Sequence, residues 1–99
     1  MLPFIRLKKS NTIDNLWLYI LTLAERKPVY AYKLREDIRK EFGFRSGMVS
    51  SYRVLYRLEI DGFVKSKLSK RKRIYNITKK GEEELKKAKK FYKKTLNSI

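Results

Sequence analysis

Between Gly62 and Gly81 the chain carries eight lysines and arginines and no acid. Like charges that close repel one another, and burying them unpaired is too costly, so most of this stretch must stay in solvent. Yet its densest part, "KSKLSKRKR", runs straight into "IYNIT", where Tyr75 and Ile77 alternate with Ile74 and Asn76 as in a strand with one face on a core. A β-hairpin meets both demands: "FVKSKLSKRKRIYNIT" folds back on itself with its tip near Ser69 to Lys72, its base on the core and its cations projecting. An external anion is the natural partner for such a tip.

The rest of the charge sharpens that inference. The net charge of +16 divides into +3 over residues 1–13, +2 over 14–61, +8 over 62–81 and +3 over 82–99. Half of the excess sits in one fifth of the chain, which points to a docking surface rather than a general aid to solubility. With 99 residues, 42% of them hydrophobic, one modest core is available.

Cysteine and histidine are both absent. That excludes disulfides, thiolate nucleophiles, histidine acid/base chemistry and Cys/His zinc sites. Glu36, Asp37 and Glu41 fall on a mixed-charge helix where Asp37 and Glu41 oppose each other rather than clip a metal. No glycine-rich phosphate loop occurs either, so no enzyme activity, catalytic residue, metal or cofactor is expected. The apolar runs are too short for a signal peptide or a membrane span, and a soluble cytoplasmic protein is the expectation.

Periodicity predicts four helices around the hairpin. The first runs from a cap at Asn11 or Thr12 to about Arg26, closed by Pro28, with Ile13, Leu16, Trp17, Ile20 and Ala24 on one face and Leu18, Leu21 and Leu23 elsewhere. A helix apolar on nearly all sides needs more than one cover. The second, about Tyr30 to Phe42, stripes Ala31, Leu34, Ile38 and Phe42 and stops at Gly43. The third is capped by Ser46 and runs to about Asp61; Met48, Ser51, Leu55 and Leu58 face inward with Val54 beside them. Its outer face carries Ser50, Arg53 and Arg57, flanked by Tyr52 and Tyr56. The last, capped by Thr78, spans about Lys79 to Ser98 and aligns Leu85, Ala88, Tyr92, Leu96 and Ile99.

Helix, helix, helix, hairpin, helix is the order of a winged helix-turn-helix: mainly α with a small β-hairpin, followed by a C-terminal dimerisation helix. The expected organisation is a basic N-terminal lead-in over 1–11, a winged-helix DNA-binding domain over 12–78 and the dimerisation helix over 79–99. Ser50, Tyr52, Arg53 and Arg57 are then candidates for the major groove, with Tyr32 beside them. Lys70, Arg71, Lys72 and Arg73 form a wing for phosphates. Each tyrosine here is as well explained by packing with an exposed ring edge.

Three segments, "LTLAERKPVYAYKL", "SYRVLYRLEIDGFV" and "RIYNITKKGEEEL", resemble PadR-like transcriptional regulators, especially the short type with one C-terminal helix. The likeness spans roughly Leu16 to Leu85. Tyr30 and Tyr32 match a Tyr-Gly-Tyr motif with Ala31 for its glycine. Tyr52, Leu55, Leu58, Glu59, Gly62 and Phe63 match the recognition helix and its exit, and Tyr75, Thr78 and Gly81 match the wing's end and the start of the last helix. Arg53 stands where the family often has proline, and Ser51 where it often has an aliphatic residue. The resemblance implies a DNA-binding regulator and allows a small-molecule effector between protomers, whose identity no residue discloses.

A 20-residue final helix reaches about 30 Å, more than a small winged domain shelters. Its stripe and the all-round apolar first helix both need a cover, and one two-fold contact would supply it, through Trp17, Leu21, Leu85, Ala88, Tyr92, Leu96 and Ile99. A monomer with the last helix folded back is the alternative. The functional expectation is a homodimeric, sequence-specific regulator, a repressor, on an inverted-repeat operator in double-stranded DNA. A nucleoid-type protein that coats DNA without specificity is the competing reading, and RNA binding a minor one because RNP- and KH-type signatures are missing.

Overall fold

The computed structural model describes residues 2–99. Helix α1 (Pro3–Ser10) comes first, then a 3-10 turn over Ile13–Asn15 and α2 (Leu16–Arg26). Strand β1 (Val29–Tyr30), a 3-10 turn over Ala31–Lys33, α3 (Leu34–Phe42) and α4 (Met48–Ile60) follow. The hairpin β2 (Val64–Ser69) and β3 (Lys72–Ile77) leads into α5 (Lys79–Ser98).

The expected winged helix-turn-helix is present, and several local expectations are corrected. The lead-in over 1–11 contains a helix: Pro3, preset for a first helical position, follows an extended Leu2. Asn11 and Thr12, expected to cap the next helix, instead close this one, their side chains donating to the carbonyls of Leu7 and Lys8. The next helix therefore starts only at Leu16, after the 3-10 turn.

The second predicted helix is shorter at its front. Val29 and Tyr30 pair with Tyr75 and Ile74 as a third strand, giving an antiparallel sheet in the order β1-β3-β2. Two residues are too few to show alternation, but β-favouring Val-Tyr follows Pro28 and finds the open edge of β3. Because β3 is the middle strand, Ile74 is buried as well as Tyr75.

Helix α4 is capped by Gly47 rather than Ser46. Ser46 is buried, and its hydroxyl pairs at 2.8 Å with that of Ser51, which also reaches the Gly47 carbonyl at 2.6 Å. Two hydroxyls thus occupy the place of an aliphatic contact and satisfy each other. Met48, expected in the core, is exposed together with Val49 and Ser50, because α4 meets the core only from Ser51 onward.

Helix α2 is the hub. Helices α3, α4 and α5 and strand β3 all pack on it, which explains its apolar residues on nearly every side. Ile20 and Leu21 on α2, Leu34 and Ile38 on α3, Leu55 on α4 and Leu85 on α5 are fully enclosed, each worth roughly 1.5–3 kcal/mol of burial. Leu21 and Leu85 were expected at a subunit contact; the protomer's own core already covers them.

Helix α5 starts as its sequence dictates. The Thr78 hydroxyl accepts the Gly81 amide at 3.1 Å and donates to the Gly62 carbonyl at 2.6 Å, so one side chain ties the exit of α4 to the start of α5. Beyond Ala88 every residue of α5 is exposed. The molecule extends 47 × 27 × 21 Å, and this exposed part of α5 is about 15 Å of helix.

Candidate nucleic-acid interface

The register of β2 and β3 runs unbroken from Val64 opposite Ile77 to Ser69 opposite Lys72, leaving Lys70 and Arg71 as a two-residue turn. Both have positive φ, 49° and 65°. That is the twist a tight hairpin needs, but asparagine and glycine are the residues that adopt it cheaply. Here the two positions carry cations, and neither has a charged partner among the described residues.

The wing is anchored on two sides, beside its tip and midway along it. Towards α3, Lys72 Nζ lies 3.4 Å from the Tyr32 hydroxyl and 4.9 Å from the centre of its ring. Towards α4, the Glu59 carboxylate accepts the Ser66 amide at 3.1 Å and the Ser66 hydroxyl, which in turn accepts Arg73 Nη1 at 2.9 Å. Burial raises the Tyr75 phenol pKa above its usual value, helped by the nearby Glu59 and Tyr56 charges and opposed by Arg73.

On α4, the inward residues Ser51, Leu55 and Leu58 leave two distinct outer flanks. Tyr52 and Tyr56 stack, ring centres 6.2 Å apart and planes at 12°, on the same side as Glu59 and hence the wing. Arg53 and Arg57 lie on the other flank, bordering a groove of about 500 Å³ with Trp17, Val54, Phe63 and Glu84. Arg57 is engaged by Asp61 at 3.2 Å. Arg53 and Ser50 are exposed, near the first turns of α4.

Two features are not legible in the sequence. One is a hollow of about 470 Å³ between α3 and α4 into which Arg35, Arg39 and Arg45 converge beside Tyr32, Met48 and Tyr52. Its signal is present as Arg35 and Arg39, four apart on a helix, but the acids interspersed with them mask it in the charge count. The other is the apolar face of α1, where Phe4, Ile5 and Leu7 are exposed.

The residues expected at a subunit contact divide. Trp17 is half-buried, its indole donating to Asn15 at 3.2 Å, and Ala88 is half-buried beside it. Tyr92 donates to Asn11 Oδ1 at 2.8 Å, which fixes the end of α1 to α5. Leu96 and Ile99 are open, 71% and 96% exposed, and Phe91 joins them.

This architecture recurs in known proteins. A PadR family transcription regulator from hypervirulent Clostridium difficile is 26% identical, the match covering 83% of this chain and 94% of that one with a TM-score of 0.71. A transcriptional regulator from Clostridium thermocellum is 27% identical over 85% of this chain and 91% of its own, TM-score 0.73. The Bacillus subtilis PadR, determined in complex with operator DNA, shares the fold at 22% identity, TM-score 0.63, over 77% of this chain and 47% of its own. No curated protein matches the chain. Residues 20–87 match the family described as "Transcriptional regulator PadR-like family", and this stretch is more than half of the sequence. Most of the hub helix, the buried Ser46–Ser51 pair and the tethered wing fall inside it: the chain belongs to the PadR-like family of transcriptional regulators.

Proposed function

We propose that the protein binds double-stranded DNA as a homodimer, with α4 in the major groove and the wing on the phosphate backbone, and represses from an inverted-repeat operator. The observation that carries this reading is the double anchoring of the wing. A cationic tip that merely served solubility would not need fixing to α4 by Glu59 and to Tyr32 by Lys72. Ser50, Tyr52 and Arg53 are the proposed base-reading residues, and Lys70, Arg71, Lys72 and Arg73 the phosphate contacts. Arg57, tied to Asp61, takes a lesser part.

The dimer would form through the exposed apolar faces of α1 and α5. Two-fold symmetry then sets the recognition helices about one DNA turn, roughly 10–10.5 base pairs, apart. A regulator working in this way resides with the nucleoid.

The test is competition between a selected inverted repeat and bulk genomic DNA across a salt series. Specific binding should exceed non-specific binding by about 10³-fold or more. Replacing Lys70 to Arg73 with alanine should flatten the salt dependence for both DNAs alike, whereas Arg53→Ala should relax preference at one base pair per half-site. Equal affinity for all sequences would favour the DNA-coating reading instead.

A further inference from the structure

We propose that the hollow between α3 and α4 is a second phosphodiester site, in which Arg39 and Arg45 grip the DNA backbone beyond the reach of the wing tip. This rests on the DNA-binding reading and adds residues and a contact to it. Segment 14–61 has nine bases and seven acids and looks nearly neutral, but the fold sorts them. Glu41 pairs with Arg26 at 3.4 Å, Asp61 with Arg57 at 3.2 Å, Glu25 with Lys89 at 3.6 Å, and Glu59 is turned to Ser66. None of these four acids lines the hollow.

What remains is three guanidinium groups around one concavity with a single carboxylate, Glu36, which sits 3.9 Å from Arg39 in an exposed and therefore weak pair. Arg35 is held by its Nε, which donates to the Ser46 carbonyl at 3.0 Å; this braces the loop before α4 and leaves the outer nitrogens of the fork available. Arg39 and Arg45 have no comparable bond among the described residues. Planar guanidinium forks suit phosphate oxygens, and Tyr32, Met48 and Tyr52 offer the apolar and aromatic wall a sugar needs. Tyr32 also touches Lys72, so the hollow adjoins the wing as one cationic track.

The experiment uses the full chain and a mixed-sequence DNA duplex in a salt titration, with thermal melting as the check on folding. Arg39→Ala with Arg45→Ala should reduce the salt slope by roughly 0.9 for each phosphate no longer neutralised and weaken binding about fivefold per phosphate at physiological salt. Arg39→Lys with Arg45→Lys should restore the slope. Glu36→Gln should tighten binding more than Glu83→Gln, which removes the same charge outside the hollow, a difference that a purely structural role for the arginines does not produce. If the wild type binds and the wing variant weakens it, while the double alanine variant keeps the wild-type slope, the second site is overturned and DNA binding stands. Weaker binding with an unchanged slope overturns it as well. If the wild type does not bind duplex DNA at all, the reading beneath both has failed.

Discussion

Glu59 on α4 accepts the main-chain amide of Ser66 on β2 at 3.1 Å, an acid holding the wing to the recognition helix inside a strongly basic protein. Strand β2 is an edge strand, and the Ser66 amide faces away from β3; the carboxylate gives it a partner that water would otherwise supply. The same carboxylate takes the Ser66 hydroxyl, which accepts from Arg73, so a relay of three side chains fixes the angle between α4 and the wing.

Glu59→Ala should therefore separate charge from geometry. Removing an acid makes the protein more cationic, and electrostatics alone would tighten DNA binding. Loss of the tether should outweigh this: stability falls by about 1–3 kcal/mol, and affinity falls while the number of released counterions is unchanged. Denaturant melts and a salt titration of the same variant measure both, and tighter binding would refute the positioning role.

The wing tip offers the converse trade. Lys70 and Arg71 occupy left-handed backbone, which costs roughly 1–2 kcal/mol per residue outside glycine and asparagine. Exchanging the pair for Asn-Gly should stabilise the fold by about 1 kcal/mol and weaken DNA binding in the same protein. Equal affinity with raised stability would remove the tip from the contact surface.

The helix-turn-helix and wing were legible because their signals are local: the alternation around Tyr75, the acid-free run and the Thr78 cap sit within a few residues of what they specify. What escaped depends on distant partners. Strand β1 exists only because β3 has a free edge, and the Asn11 side-chain oxygen accepts from Tyr92 on α5 instead of capping α2, which starts only after the 3-10 turn. Taken from periodicity alone, Leu21 and Leu85 require a second protomer; in the fold, α3, α4, α5 and β3 share the surface of α2 and enclose both. The basic hollow was hidden for the same reason, since Arg45 reaches it from a loop beyond α3 and Glu41 turns to Arg26 on another helix, both set by tertiary structure.

Gly81 sets two effects against each other. It lies in the first turn of α5, where alanine is favoured over glycine by about 1 kcal/mol in helix propensity. A Cβ there would stand 2.2 Å from the Phe63 carbonyl oxygen and 2.8 Å from Ile77 Cγ1. The oxygen is main chain and already accepts the Thr78 amide at 3.1 Å, so it cannot swing aside. Steric cost should win: Gly81→Ala is expected to destabilise by about 1–3 kcal/mol or more, read from the denaturation midpoint.

The last prediction concerns the overhang of α5. Leu85 is the final enclosed residue of the chain, so the fold of one protomer asks nothing of the apolar groups beyond it. Phe91, Leu96 and Ile99 nevertheless continue the stripe into solvent, and Phe4 on α1 is 68% exposed, with Tyr92 and Asn11 bonding the two helices together. Two such apolar faces on one protomer are well matched to their own copies across a two-fold axis. Sedimentation at micromolar concentration should give a dimer for the full chain and a folded monomer for a chain ending at Ala88. Because that truncation also cuts the bond to Asn11, the pair Phe91→Glu and Leu96→Glu serves as a gentler test: it keeps α5 whole and should dissociate the dimer with little change in the protomer's helix content. A dimer that survives both changes would place the contact elsewhere, and a full-length monomer would rule out the symmetric operator with it.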